Sequence, residues 1–476
     1  MKVRVAVVAV VALAIVATGC GTRVKDEAES SAANQNAAGG SSNGAPTGTA
    51  APAANMFGTL PVPCGPNTTG TTLTASDKFV TANEIHISTI SDPGGPKPGL
   101  DQSIFDTMKA FASWCNGFGG INGRKLVVDF KDAKILQYKD RVVEACEDSF
   151  ALVGGLGTLD GNGAQDQANC GLPNIPAAAV SAEQAGADLT FQPLPNPPNE
   201  FQIGPPNWVK SVFPDSISKA AAIYSNLQLV KTQSDRVVEG YTSQGFNFIY
   251  HQSANINESN WGPIVVAMKN LDVKYLTLTS SFEEIIPLQK EMANQGYHPD
   301  VTELETNFYD ARYPEQAKAQ GADTANTFVR LTVWPFEEAD ANPAMKEYLA
   351  QLTKAVPDAV PAELGVQSWS AALMFATAAK NAGSNLTRDS LVSELGKITS
   401  WNGGGLHGTS NPATKKPAGC FVMMKVQDGG FVRAYPLPDK DQAVYDNSNL
   451  KGMACPVPAT VTLTGDYGKG AKAQAK

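Results

Sequence analysis

The apolar residues of this chain switch period again and again, and that alternation limits what it can fold into. Glu84-Ile85-His86-Ile87-Ser88-Thr89-Ile90 alternates with period two, as a strand does. After a Gly/Pro loop from Asp92 to Gly99, Ile104, Met108, Phe111 and Cys115 recur along one helical stripe. The turn Gly119-Gly120-Ile121-Asn122-Gly123 then leads into a strand from Leu126 to Phe130, a charged helix from Tyr138 to Asp148 and a strand from Phe150 to Gly154. A proline-dense loop from Gln192 to Pro206 interrupts the series. Beyond it the rhythm predicts three more strands, beginning at Ala220, Phe246 and Tyr275, each followed by a helix. Strand and helix in alternation build parallel sheets with helices on both faces, an α/β fold, here in two similar doubly wound halves. A strand from Phe328 to Val333, helices from Ala344 to Ala355 and from Gln367 to Asn381, and a hairpin around Asp428-Gly429-Gly430 complete the reading.

Residues 1–20 read as a secretory signal. Lys2 and Arg4 precede the apolar stretch from Val5 to Ala17, and Ala17-Thr18-Gly19-Cys20 is a small-residue cleavage site. The apolar stretch is too short to cross a hydrocarbon layer about 30 Å thick. Thr18-Gly19-Cys20 resembles a lipobox, with Ala17 where the commonest examples have Leu; acylation of Cys20 would hold the chain on the cell membrane from outside the cytoplasm. Ordinary cleavage leaving a free Cys20 is the alternative. Residues 21–58 are dominated by Ala, Ser, Gly, Asn, Thr and Pro and read as a disordered tether, and 468–476 as a flexible tail.

Setting Cys20 aside, Cys64, Cys115, Cys146, Cys170, Cys420 and Cys455 remain, an even number suited to disulfides in an oxidising compartment. No C-x-x-C pair points to zinc, and no metal or cofactor is expected. Six cysteines allow about 15 pairings, among which the sequence does not choose. The working hypothesis is Cys146 with Cys170, Cys64 with Cys115 and Cys420 with Cys455. The formal charge of −9 carries no basic block, which argues against a nucleic-acid partner.

An enzyme finds little support. Gly65-Pro66-Asn67-Thr68-Thr69-Gly70-Thr71 has phosphate-loop spacing, but Thr71 stands where a Lys is required. His86, His251, His298 and His407 are scattered, with neither H-E-x-x-H nor G-x-S-x-G.

Several phrases, in order, resemble the type I periplasmic binding proteins, in particular the branched-chain amino-acid-binding branch of importer lipoproteins. They are Phe118-Gly119-Gly120-Ile121-Asn122-Gly123-Arg124-Lys125-Leu126, the cysteines flanking Phe150-Ala151-Leu152-Val153-Gly154-Gly155, Gln295-Gly296-Tyr297 and Asp428-Gly429-Gly430-Phe431. The resemblance covers roughly Glu84 to Pro436. It implies two Rossmann-like lobes joined by a three-segment hinge: 81–201 and 328–396 as lobe one, 204–327 and 400–461 as lobe two. It implies a small polar solute, an amino acid or a related amide or carboxylate, captured by a monomer as the cleft closes and passed to an ABC permease. A sensor or cell-envelope lipoprotein on the same fold is the alternative.

The resemblance places a solute carboxylate on two loops of lobe one, which singles out Thr158 and Ser181 as hydroxyl donors and Gly157 and Ala182 as backbone contacts. Turn residues that only cap helices are the competing reading. Phe282 or Tyr309 would cover an apolar solute side chain, or else be core aromatics. Asp310 and Glu183 are the candidates to meet a solute ammonium, although the match at Asn307-Phe308-Tyr309-Asp310 is poor. Trp334 and Trp369 stand near the expected cleft edge.

Overall fold

The computed structural model describes residues 55–446 and 449–474. The signal segment with Cys20 and nearly all of the tether lie outside the described residues.

Two sheets organise the body. The first is wholly parallel, in the order Lys125–Asp132, Glu84–Ser91, Leu152–Val153, Asn174–Ile175. The second places Phe248–Ala254, Ala220–Ser225, Tyr275–Thr279, Val301–Leu304 and Thr327–Leu331 side by side and parallel, then adds the hairpin Val422–Gln427 and Gly430–Tyr435 antiparallel at the far edge. The loops between parallel strands gather at the strands' carboxyl ends, where such sheets bind ligands.

Lobe one owes its core to the helix Glu363–Ala382, which is rich in Ala and buried on nearly every side. A helix apolar all round is stable only inside a body, and this one lies against Gln102–Gly117 and Arg388–Leu395. Trp369 sits within ring-contact distance of Phe57, Phe111, Trp114 and Tyr348. It packs in the core and does not edge the cleft; Trp334, also buried, lies under the Arg433 guanidinium. The Gly119–Gly123 turn shows why its residues are needed. A Cβ on Gly120, at φ 79°, would meet the Arg124 carbonyl oxygen at 2.0 Å, while buried Arg124 donates to the carbonyls of Thr81, Thr74 and Ser384.

Cys64–Cys115, Cys146–Cys170 and Cys420–Cys455 are bonded.

The lobe boundaries differ from those expected at three places. The strand Thr327–Leu331 belongs to the second sheet, because it hydrogen-bonds between Val301–Leu304 and Val422–Gln427; lobe one therefore does not begin again at 328. Residues 401–416 belong with lobe one, not lobe two: His407 Nε2 bonds the Ser370 hydroxyl at 2.8 Å, and Lys415 donates to the carbonyls of Ala187 and Thr190. The C-terminal segment, expected to be loose, is packed. Thr460–Thr462 pairs with Glu200–Gln202, Glu239 of lobe two accepts from Thr464, Gly465 and Tyr467, and the Ala471 amide reaches the Glu183 carbonyl of lobe one at 2.9 Å. A fourth connection thus joins the lobes beside the three that were anticipated.

Candidate functional site

A cavity of about 230 Å³ lies between the lobes. Lobe one contributes the loops after Glu84–Ser91 and Leu152–Val153, and lobe two those after Ala220–Ser225, Tyr275–Thr279 and Val301–Leu304. Its walls are largely apolar, with Ile135, Leu156 and Leu364 facing Leu227, Val230 and Ile256. Toward the hinge it continues into a second recess beside Arg236 and Arg330.

The rim is bridged. Lys97 of lobe one donates to Glu284 Oε1 at 2.7 Å and to the Ser281 hydroxyl at 3.0 Å, both in lobe two, and the ion pair is almost fully buried. Asn257 supports it, giving its backbone N–H to Glu284 and its side-chain N–H to the Pro96 carbonyl across the gap. Arg312 reaches the Gly99 carbonyl at 3.4 Å.

Of the residues singled out from sequence, Thr158 lines the cavity. Its backbone N–H donates to Asp92 Oδ2 at 2.7 Å. Gly157 lies behind it, where Tyr138 carbon would stand 2.2 Å from any Cβ. Ser181 is buried and caps the short helix Ala182–Ala185 by accepting from the Gln184 N–H, while its own N–H and that of Val180 go to the two oxygens of Asp160. Ala182 is buried beside it, and Glu183 meets the C-terminal segment. These three do not reach the cavity wall.

In lobe two, Phe282 lines a small recess at the rim under the Arg312 guanidinium. Asp310 is in the same recess but is committed to Arg312, which it binds through both oxygens. The expectation for Tyr309 is corrected. Its ring stacks on Phe336 with centroids 4.1 Å apart, its hydroxyl bonds Glu337 and the Phe336 N–H, and it has no exposed surface.

Lys97, Glu284, Asp101 and Glu305 were not anticipated, although each borders a loop that was. Asp101 sits in the left-handed region at φ 54°, ahead of the helix Gln102–Gly117 that it does not cap. Only a small fraction of non-glycine residues adopt that conformation, which marks the position for attention.

Burial pushes the Asp160 carboxyl up to about 7. Burial, with repulsion from Asp92, Glu283 and Asp310, takes Asp101 to about 8. Burial also lifts Glu337 and Glu363 to about 7. An unfolded chain releases these protons near pH ~4. The folded chain holds them to about 7 or 8, so it binds more protons across that window and loses stability as pH rises through it. His407, lowered by burial to about 4, acts oppositely, but only below its ordinary value of 6.5. The melting temperature followed by circular dichroism should therefore fall by several degrees between about pH 6 and about pH 9, with a flatter slope in Asp160→Asn. A melting temperature that climbs across this interval would contradict the assignment.

Comparison with known proteins now bears on the two-lobed body and its cavity. A family model described as periplasmic binding protein matches residues 84–430. This chain is a periplasmic binding protein. No curated protein matches it at a comparable level. Among solved structures, a branched-chain amino acid transporter substrate-binding protein from Streptococcus pneumoniae in complex with isoleucine is similar at 15% identity and TM-score 0.61, covering 74% of this chain and 100% of its own. A solute-binding protein of an ABC transporter from R. palustris in complex with benzoate gives 14% and 0.62, covering 81% and 99%. A fatty acid ABC transporter substrate-binding protein from Thermomonospora curvata gives 17% and 0.62, covering 78% and 93%. These likenesses establish the type I fold shared with solute-binding proteins of ABC transporters. Among the described residues of this periplasmic binding protein, no helix is long and apolar enough to cross a membrane.

Proposed function

We propose that this periplasmic binding protein captures a small solute in the inter-lobe cavity by closing on it, and delivers it as a monomer to an ABC permease. Acylated Cys20 holds the chain at the outer face of the cell membrane. The observation that carries the reading is the inter-lobe cavity whose rim is bridged by Lys97 and Glu284 from opposite lobes. A ligand touching both lobes favours the closed form by the difference in its affinity for the two states. Proteins of similar fold hold isoleucine or benzoate, and another serves a fatty acid transporter, so the fold alone does not choose a solute. Of the amino acids, amides and carboxylates expected from sequence, the apolar walls support solutes with a hydrocarbon body.

Thermal unfolding of the full chain with amino acids, amides, amines, carboxylates and sugars tests the reading. A ligand at about 100 times its dissociation constant should add about 2.7 kcal/mol of stability. No shift with any solute would remove the capture function. Labelling with radioactive palmitate should mark the wild type and not Cys20→Ala; equal labelling of both would remove the anchor.

A further inference from the structure

In the two loops that the family resemblance assigns to a solute carboxylate, several amides are already used within the chain. The Val180 and Ser181 N–H groups go to Asp160 at 2.8 and 2.9 Å, and the Ser181 hydroxyl accepts from the Gln184 N–H. The Thr158 N–H goes to Asp92, whose other oxygen takes the Ile135 N–H at 2.7 Å. The seat for an anion is thus filled by two of the protein's own side chains. The helix start at Ser281, on the opposite wall, carries Glu283 and Glu284 in its first turn, which oppose an anion there.

The cations around the cavity and its two recesses are also committed among the described residues. Lys97 is held by Glu284, Arg312 by Asp310, Arg330 by Glu303 and Glu305, and Arg236 by the Gln233 side chain and the carbonyls of Pro197 and Pro198. Carboxyl groups remain. Asp101 faces both the cavity and the rim recess, and its carboxyl has no hydrogen-bond partner among the described residues. Glu305 faces the cavity from the hinge end; one oxygen lies 3.7 Å from an Arg330 that Glu303 also occupies, and the other has no partner among the described residues. Between these two ends the walls are apolar. A charged carboxylate brought into this space would lose its water among apolar walls and carboxyl groups, whereas an ammonium would find two acceptors, Asp101 giving up its proton as the cation arrives.

We infer that the solute is an organic amine with an apolar body and no carboxylate, its ammonium received by Asp101 or Glu305. This rests on the capture reading above and narrows it.

Four compounds sharing one branched skeleton separate the possibilities: 3-methylbutylamine, leucine, 4-methylpentanoate and 4-methylpentanamide. Titration calorimetry on the full chain should show the amine binding at least about tenfold more tightly than the other three, and Asp101→Asn or Glu305→Gln should weaken it about tenfold. Asn is at ease in the left-handed region, so Asp101→Asn keeps the backbone. Binding of leucine or 4-methylpentanoate as tight as the amine, or an amine affinity indifferent to both substitutions, overturns the inference and leaves capture standing. Preference for a neutral amide or a sugar does the same. Silence from these four and from the whole panel of the preceding section brings down capture itself.

Discussion

Glu284→Ala should weaken solute binding about ten- to a hundredfold and shift the free protein toward an open shape with a larger radius of gyration in X-ray scattering. The reason is the burial of its partner. Lys97 is only 8% exposed and has one carboxylate, Glu284, against its ammonium. Removing one member of a buried pair costs about 3–5 kcal/mol, because the other charge stays behind without compensation. Here the stranded ammonium has an escape: parting the lobes returns it to water. The cost should therefore appear mainly as opening and only secondarily as unfolding. Asn257 would lose its acceptor at the same time, which loosens the second contact across the gap. A double variant, Lys97→Met with Glu284→Leu, leaves no buried charge and should recover much of the affinity. If Glu284→Ala leaves both affinity and scattering unchanged, the pair does not hold the rim.

Trp369→Ala should destabilise the protein by about 3–5 kcal/mol in chemical denaturation, the range for emptying a large aromatic site in a core. Trp369 has no exposed surface, and its ring centroid lies 5.1 to 5.7 Å from those of Phe57, Phe111, Trp114 and Tyr348. Phe57 comes from the segment ahead of the first sheet, so the loss should also release that segment to proteolysis. Because Trp369 does not line the cavity, the fraction that stays folded should bind solute normally. A cost under about 1 kcal/mol would mean that the core closes over the missing ring.

Much of the fold was legible from period alone. The strand at Glu84, the helix from Tyr138 to Asp148 and the hairpin around Asp428 all stand where apolar spacing put them. In lobe two, Ser225, Ser280 and Thr306 follow strands of a parallel sheet and line the cavity, as the carboxyl ends of such strands do. Membership of Thr327–Leu331 in the second sheet was not legible, because an apolar strand carries no mark of the neighbours it pairs with. The candidate site was read less well, for a definite physical reason. Thr158 and Ser181 have the right side chains in the right loops, but sequence does not show that Asp92 and Asp160 fold back to take their donors. Tyr309 could pass for a rim aromatic until Phe336, 27 residues later by number, is seen stacked on it. Lys97 and Glu284 are 187 residues apart, and no local pattern announces a pair made across a gap.

The C-terminal segment sets a limit on motion. Tyr467 is bonded to one lobe and Ala471 to the other. The four residues from one to the other extend to roughly 14 Å when pulled straight. This short leash, which follows the pairing of Thr460–Thr462 with Glu200–Gln202, limits how far the lobes part unless one of its two knots comes undone. The entrance would then admit slim molecules readily and exclude bulky ones by the length of a peptide, before any side chain of the binding chamber is consulted.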